Sequence, residues 1–105
     1  MLISPKDTGY SMYNVEIKPE ADKIFRKLAK RNPSQLRMIH KKIEDIRSNP
    51  HHEYKFLRSP LQNFNRVHID RHFVLIFRIE HEKRAIDVYY FDHHDEVYDW
   101  RPIDR

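Results

Sequence analysis

The strongest hydrophobic signal in the chain runs from Phe73 to Ile79, which is apolar at every position except Arg78. A run of that length without alternation predicts a central strand with both faces buried. The charged stretch Glu80 to Arg84 reads as a turn, and Ile86 to Phe91, rich in β-branched and aromatic residues, as the hairpin partner. Near the N-terminus Tyr13, Val15 and Ile17 alternate with Asn14, Glu16 and Lys18, the period-2 pattern of a half-buried strand beginning at Met12. Between these, Tyr54 to Arg58 is a candidate short edge strand, followed by a loop from Ser59 to Asn63. In Phe64 to Asp70, Val67 and Ile69 alternate with Arg66, His68 and Asp70, which places the last three on the opposite face.

Two segments follow the helical period instead. Pro19 suits a first helical turn, Glu20 and Asp22 suit its dipole, and Ala21, Ile24, Phe25, Leu28 and Ala29 form one apolar stripe. Asn32-Pro33-Ser34-Gln35 ends this helix and starts a second, with Asn32 as N-cap and Gln35 where a capping-box partner belongs. Leu36, Ile39, Ile43 and Ile46 form the second stripe, and Ser48-Asn49-Pro50 closes the helix. Both stripes need a common apolar surface, and only the later strands offer one large enough. The expected fold class is therefore α+β: an N-terminal strand and a two-helix hairpin packed on an antiparallel sheet, in the order β-α-α-β-β-β, with a short tail from Asp92 to Arg105. Residues 12–105 are expected to form one domain. Residues 1–11 hold the only glycine and just three sizeable apolar side chains, Leu2, Ile3 and Tyr10, and are expected to be a loose extension, since ordering each residue costs roughly 1–2 kcal/mol.

A length of 105 residues supports one modest core. The absence of cysteine removes disulfides, thiol nucleophiles and thiolate metal sites, and suggests a reducing, cytoplasmic setting. No apolar run approaches the roughly 18–20 residues of a spanning helix, so no membrane partner is expected. The formal charge of +4 points to polyanions, and its distribution sharpens the picture. Residues 19–49 carry nine Lys/Arg against four acids, whereas residues 92–105 carry two against five.

Candidate chemistry concentrates at Asp92-His93-His94-Asp95, where two imidazoles and two carboxylates fall at a strand end. Neighbours in a strand point to opposite faces, which predicts that only one of the two histidines faces a ligand. Adjacent histidines rarely converge on one ion, and no His-x₃-His on a helix or Cys/His spacing is present, so neither a metal nor a cofactor is expected.

The order of elements, the basic helical hairpin and the closing His-x-x-x-Val-Tyr resemble the RelE/ParE superfamily of toxins from toxin–antitoxin pairs, over about residues 12–99. The matching motifs are the opening strand YNVEIKPEADK, Leu57-Arg58-Ser59, Asn65-Arg66-Val67, Leu75-Ile76-Phe77, and the close Asp92-His93-His94-Asp95-Glu96-Val97-Tyr98. The chain departs from the family pattern at Val74, where an arginine is frequent, at Asp92, where a glycine is usual, and at His94, where an arginine follows the histidine. The resemblance implies a metal-independent endoribonuclease (mRNA interferase) that cleaves messenger RNA on the ribosome by 2′-hydroxyl attack and is neutralised by a small antitoxin protein. The alternatives it leaves are a ParE-like inhibitor of gyrase that cuts nothing, and an inactive RNA-binding member. Such cleavage needs a base, an acid and cations at the phosphate; histidine suits the proton roles, and arginine binds two oxygens at once. The candidates are His93, favoured by the family match, with His94, Arg66, Lys55, Arg58 and Tyr98 for catalysis. His51, His52 and His68 are further imidazoles. Arg26, Lys27, Lys30, Lys41, Lys42 and Arg71 are candidate RNA contacts. Arg66 has a structural alternative, a cross-strand ion pair with Asp87 or Asp70.

Overall fold

A computed structural model describes residues 12–103; the expected loose extension, residues 1–11, lies outside them. The elements are β1 (Asn14–Ile17), α1 (Pro19–Arg31), α2 (Pro33–Ser48), β2 (Lys55–Phe56), β3 (Asn65–Ile69), β4 (Phe73–Glu80), β5 (Ala85–His93) and α3 (His94–Val97). The strands form one sheet in the order β1-β5-β4-β3-β2. The expected α+β architecture is present, with one refinement: β1 pairs parallel to β5, from Asn14 opposite Ala85 to Ile17 opposite Val88, while every other pairing is antiparallel. The whole helical hairpin intervenes between β1 and the rest of the sheet, which gives the chain room for a parallel return.

β4 is buried on both faces, as its composition predicts. On one side Leu75 and Phe77 join Ile69, Ile86, Val88 and Phe91 beneath Phe25, Ile39, Ile43 and Ile46 of the two helices. On the other, Val74 and Ile76 are covered by Leu57, Leu61, Phe64, Val97 and Trp100, with Tyr89 and Tyr90 packed alongside. A bulge separates two registers: Ile76 lies opposite Tyr90 but Phe77 lies opposite Val88, so Tyr89 is the extra residue. Tyr89 and Tyr90 therefore both turn towards the second cluster.

Asn32 caps α2 as expected, its side chain accepting from the Gln35 backbone N–H at 3.1 Å. Gln35 is not a capping-box partner. It is buried and donates to Asp70 at 3.4 Å, tying the start of α2 to the β3–β4 turn. Ala29, expected in the stripe of α1, is exposed. The tail expected after Asp92 is instead structured: β5 continues to His93, α3 follows, and Trp100 lies 6% exposed against Phe64 and Tyr90 while its indole N–H donates to Glu20 at 3.0 Å. Trp100 thus closes the second face of the sheet and links it to the first turn of α1. Trp100→Ala is expected to destabilise the protein by about 3–5 kcal/mol, the usual cost of emptying a buried tryptophan site, and a urea midpoint unchanged from the parent would return this segment to a loose tail.

Candidate functional site

The loop after β2 and the segment after α3 both lie on the second face of the sheet, and between them opens a cleft of about 480 Å³. Its walls are Phe56, Leu57, Arg58, Ser59, Pro60, Leu61, Arg66, Tyr98 and Arg101. The loop holds its shape through buried Leu57, Leu61 and Phe64 and through backbone bonds from Leu57 to Phe64, Leu61 to Arg58 and Phe64 to Leu61, at 2.8–2.9 Å. Arg58 is thereby presented from a rigid loop. Arg66 stands on β3 opposite Ile76, so its side chain leaves on the cleft side of the sheet, beside its cross-strand neighbour Lys55. Arg101 is anchored by donation to the Trp100 and Tyr98 carbonyls at 2.7 and 3.2 Å. Tyr98 follows buried Val97 directly and is itself 45% exposed; Phe56, on the opposite rim, is 61% exposed.

Three guanidinium groups share this cleft, and none of the described residues lining it is acidic. Among the described residues Arg66 makes no ion pair, so the pairing with Asp87 or Asp70 is not formed; Asp87 faces Arg78 across the ladder from β5, with β4 between it and β3. The chemistry available is the binding of a bulky anion by planar forks, with two aromatic rings placed to stack on flat groups. Tyr90 lies under this face, stacked on Trp100 at 5.5 Å. Burial, then its hydrogen bond to Asp92 at 2.8 Å and the charge of that carboxylate, pushes the Tyr90 phenol up to about 12, so it remains a donor at neutral pH.

A groove along the edge of β3 continues from the cleft through Arg66, lined also by Lys42, His52, Glu53, Tyr54, Lys55, Val67 and His68. Of the candidates drawn from sequence, the structure therefore brings together Arg58, Arg66 and Tyr98 in the cleft, and Lys55, Lys42, His52 and His68 in the adjoining groove. Arg101 was missed, having been assigned to a tail; the signal that could have found it is Trp100 immediately before it, a residue too costly to leave in solvent.

His93 and His94 do not line the cleft. His93 lies opposite Phe73, whose ring packs with the helix-side cluster, and so stands on the other face from Arg66. The expectation that the two histidines diverge also fails. His93 is the last strand residue and His94 the first of α3, so strand alternation stops between them and their rings stack at 4.7 Å. His51 stacks on His81 at 4.9 Å beside Tyr13, away from Arg66. Arg26 is paired with Asp22 on the same helix, and Lys27, Lys30 and Lys41 are exposed without lining the cleft. Arg71 sits in the β3–β4 turn at a φ of 64°, also outside it.

Residues 15–98 match the family described as ParE toxin of type II toxin-antitoxin system, parDE. A protein of Methanocaldococcus jannaschii named "Putative toxin RelE4" is 51% identical over 87 residues, covering 83% of this chain and 92% of the relative. The chain belongs to the RelE/ParE superfamily of toxins. Among solved structures, the RelBE2 toxin–antitoxin complex of Mycobacterium tuberculosis aligns with a TM-score of 0.67 at 23% identity, covering 79% of this chain and 92% of that one. A mutant of the Escherichia coli toxin RelE in the free state aligns with a TM-score of 0.67 at 21% identity, covering 84% and 92%. At these identities the likeness to RelE is one of fold, and the activity rests on the side chains of this toxin. No helix among its described residues is long and apolar enough to cross a membrane.

Proposed function

We propose that this toxin is an endoribonuclease that cleaves messenger RNA on the ribosome, and that the cleft around Arg66 is where it does so. The observation that carries the reading is the acid-free trio Arg58, Arg66 and Arg101, flanked by the exposed rings of Phe56 and Tyr98. Single-stranded RNA offers the matching groups, a phosphate every nucleotide and bases with flat faces. In the reaction the 2′-oxygen attacks the adjacent phosphorus, the bond to the 5′-oxygen breaks, and the 2′ proton passes to a base while the departing oxygen gains one. Charge builds on the phosphate oxygens as this happens. Arg66, held on a strand and without an ion-pair partner among the described residues, supplies a fork aimed at that charge, with Arg58 and Arg101 completing the cradle. Lys55 opposite Arg66, and His68 two residues along the same face of β3, supply the proton-transfer groups from the groove side. A cognate antitoxin silences the toxin by covering this cationic surface, which calls for an acidic segment.

A second reading, inhibition of gyrase without cleavage, is favoured by the match to the ParE toxin family. Toeprinting of ribosome-bound messages with purified toxin separates the two, because only a nuclease produces new 5′ ends while gyrase supercoiling continues. Arg66→Ala is expected to lower the cleavage rate by about 10²- to 10³-fold, the usual loss for one preorganised transition-state donor. Arg66→Lys should recover it only in part, since an ammonium cannot copy the fork. A stably folded Arg66→Ala protein that cuts at the parental rate would remove Arg66 from the site. For binding, replacing both Arg58 and Arg101 by alanine is expected to flatten the dependence of log Kd on log salt for a single-stranded RNA by about 0.7 per lost phosphate contact; identical slopes would mean that neither touches phosphate.

A further inference from the structure

Three imidazoles that do not line the cleft meet at the end of the central hairpin away from its turn. His72 comes from the β3–β4 turn, His93 from the last position of β5 and His94 from the first of α3. One ring nitrogen from each lies within 4.8 Å of the others. His72 is exposed and the other two are partly so. The backbone holds the cluster together: the His94 N–H donates to the His72 carbonyl at 2.7 Å, and Phe73 pairs with His93 across the ladder. The turn itself is tied down by Gln35, which donates to Asp70.

The hydrogen bonding around His94 is what marks this as a ligand site. Its Nδ1 faces the His72 carbonyl oxygen at 3.2 Å and its Nε2 faces an Asp95 carboxylate oxygen at 3.1 Å. A neutral imidazole has one N–H and can satisfy only one of two acceptors. With Nδ1–H donating to the carbonyl, Nε2 directs a lone pair at a carboxylate, an arrangement that a proton or a metal cation placed between them resolves. The same carboxylate lies 3.5 Å from His93 Nδ1. Asp92, by contrast, is already engaged, accepting from the Tyr90 hydroxyl at 2.8 Å and from the His93 backbone N–H at 2.7 Å.

We propose that His72, His93, His94 and Asp95 form a binding site for a first-row transition-metal dication, typified by Zn²⁺, with three imidazole nitrogens and one carboxylate oxygen as ligands. Three nitrogens and an oxygen suit zinc in tetrahedral geometry. At metal–nitrogen distances of about 2.0–2.1 Å the ligand nitrogens stand roughly 3.3 Å apart, so the three imidazoles close by about 1.5 Å at most, and Asp95 joins them from 3.1 Å off His94 Nε2. His93 makes one exchange. Its Nδ1 lone pair, which now accepts from the Asp95 backbone N–H at 3.1 Å, turns to the metal, and this nitrogen already stands 3.5 Å from the Asp95 carboxylate that shares the ion. The ion then clamps the β3–β4 turn to α3, three residues before Tyr98 at its nearest ligand in chain order, so its effect is structural and independent of the cleft reading.

The test uses tag-free full-length toxin, stripped with EDTA, desalted and titrated calorimetrically with zinc chloride. One ion per chain with micromolar or tighter affinity is expected, together with a rise in Tm that grows with zinc concentration, as binding to the folded state alone requires. Loss of an outer-sphere partner costs about 10- to 100-fold in affinity, so His72→Ala and His94→Ala should each weaken binding by at least about 100-fold. Both side chains are accessible, so folding should survive, with circular dichroism as the check; should His94→Ala unfold, His72→Ala alone decides. Cobalt(II) in place of zinc should give the intense visible bands of a tetrahedral site. No saturable binding at micromolar metal, parental affinity in His72→Ala or in a folded His94→Ala, or a loss produced instead by His51→Ala with His81→Ala would each overturn the proposal.

Discussion

A strand buried on both faces is the constraint from which the rest of this structure follows. Val74, Leu75, Ile76 and Phe77 are wholly inaccessible, and β4 is hydrogen-bonded to β3 on one edge and β5 on the other. Each such side chain stabilises the fold by roughly 1.5–3 kcal/mol only while it stays covered. Two amphipathic helices cover one face. The other is covered by pieces without long regular structure, the loop from Leu57 to Phe64 and the short helix α3 with Trp100 just beyond it. Irregular segments tile a surface less completely than paired helices do, and the gap between these two is the arginine-lined cleft. The candidate site is thus a consequence of how the second face of the central strand is closed.

One inserted residue decides which side chains reach which face. Had β5 paired without interruption, Ile86, Val88, Tyr90 and Asp92 would share the helix side and His93 the cleft side. The bulge at Tyr89 reverses the alternation beyond it, so Phe91 and His93 face the helices while Tyr90 and Asp92 face the cleft layer. It gives the second face two adjacent aromatic rings, with Phe64 edge-on to Tyr89 and Trp100 stacked on Tyr90. The same reversal sends His93 to meet His72 and His94 at the strand end.

Charge is sorted as carefully as apolar surface. Acids near the cleft in sequence or in space do not line it: Asp92 is engaged by the Tyr90 hydroxyl and the His93 backbone N–H, Asp95 lies beside the two histidines, and Glu20 on α1 accepts from the Trp100 indole. On the helices, Arg26 pairs with Asp22, and Arg47 with Glu44 and the Tyr13 carbonyl. Two of the nine basic residues of 19–49 are thus paired within their own helices, and the cations gathered in the cleft are those on the loop, on β3 and after α3.

What the sequence determined by itself were the features encoded by neighbours along the chain. The 3.6-residue stripes of α1 and α2, the Asn32 cap, the alternation in β1 and β3 and the unbroken apolar run of β4 each reflect local geometry acting on adjacent side chains, and together they were enough for the fold class, while the resemblance to the superfamily rested on the element order with the basic hairpin and the short motifs. Arg66, Arg58 and Tyr98 were legible as candidates because short motifs carry them. Tertiary structure alone decided the parallel pairing of β1 with β5, the extra residue at Tyr89, the docking of Trp100 that turns Arg101 into the cleft, and the arrival of His72 beside His93 and His94. Each of these depends on which surfaces remain uncovered once the sheet has formed, a quantity set by segments distant in sequence and invisible to any periodicity within one of them.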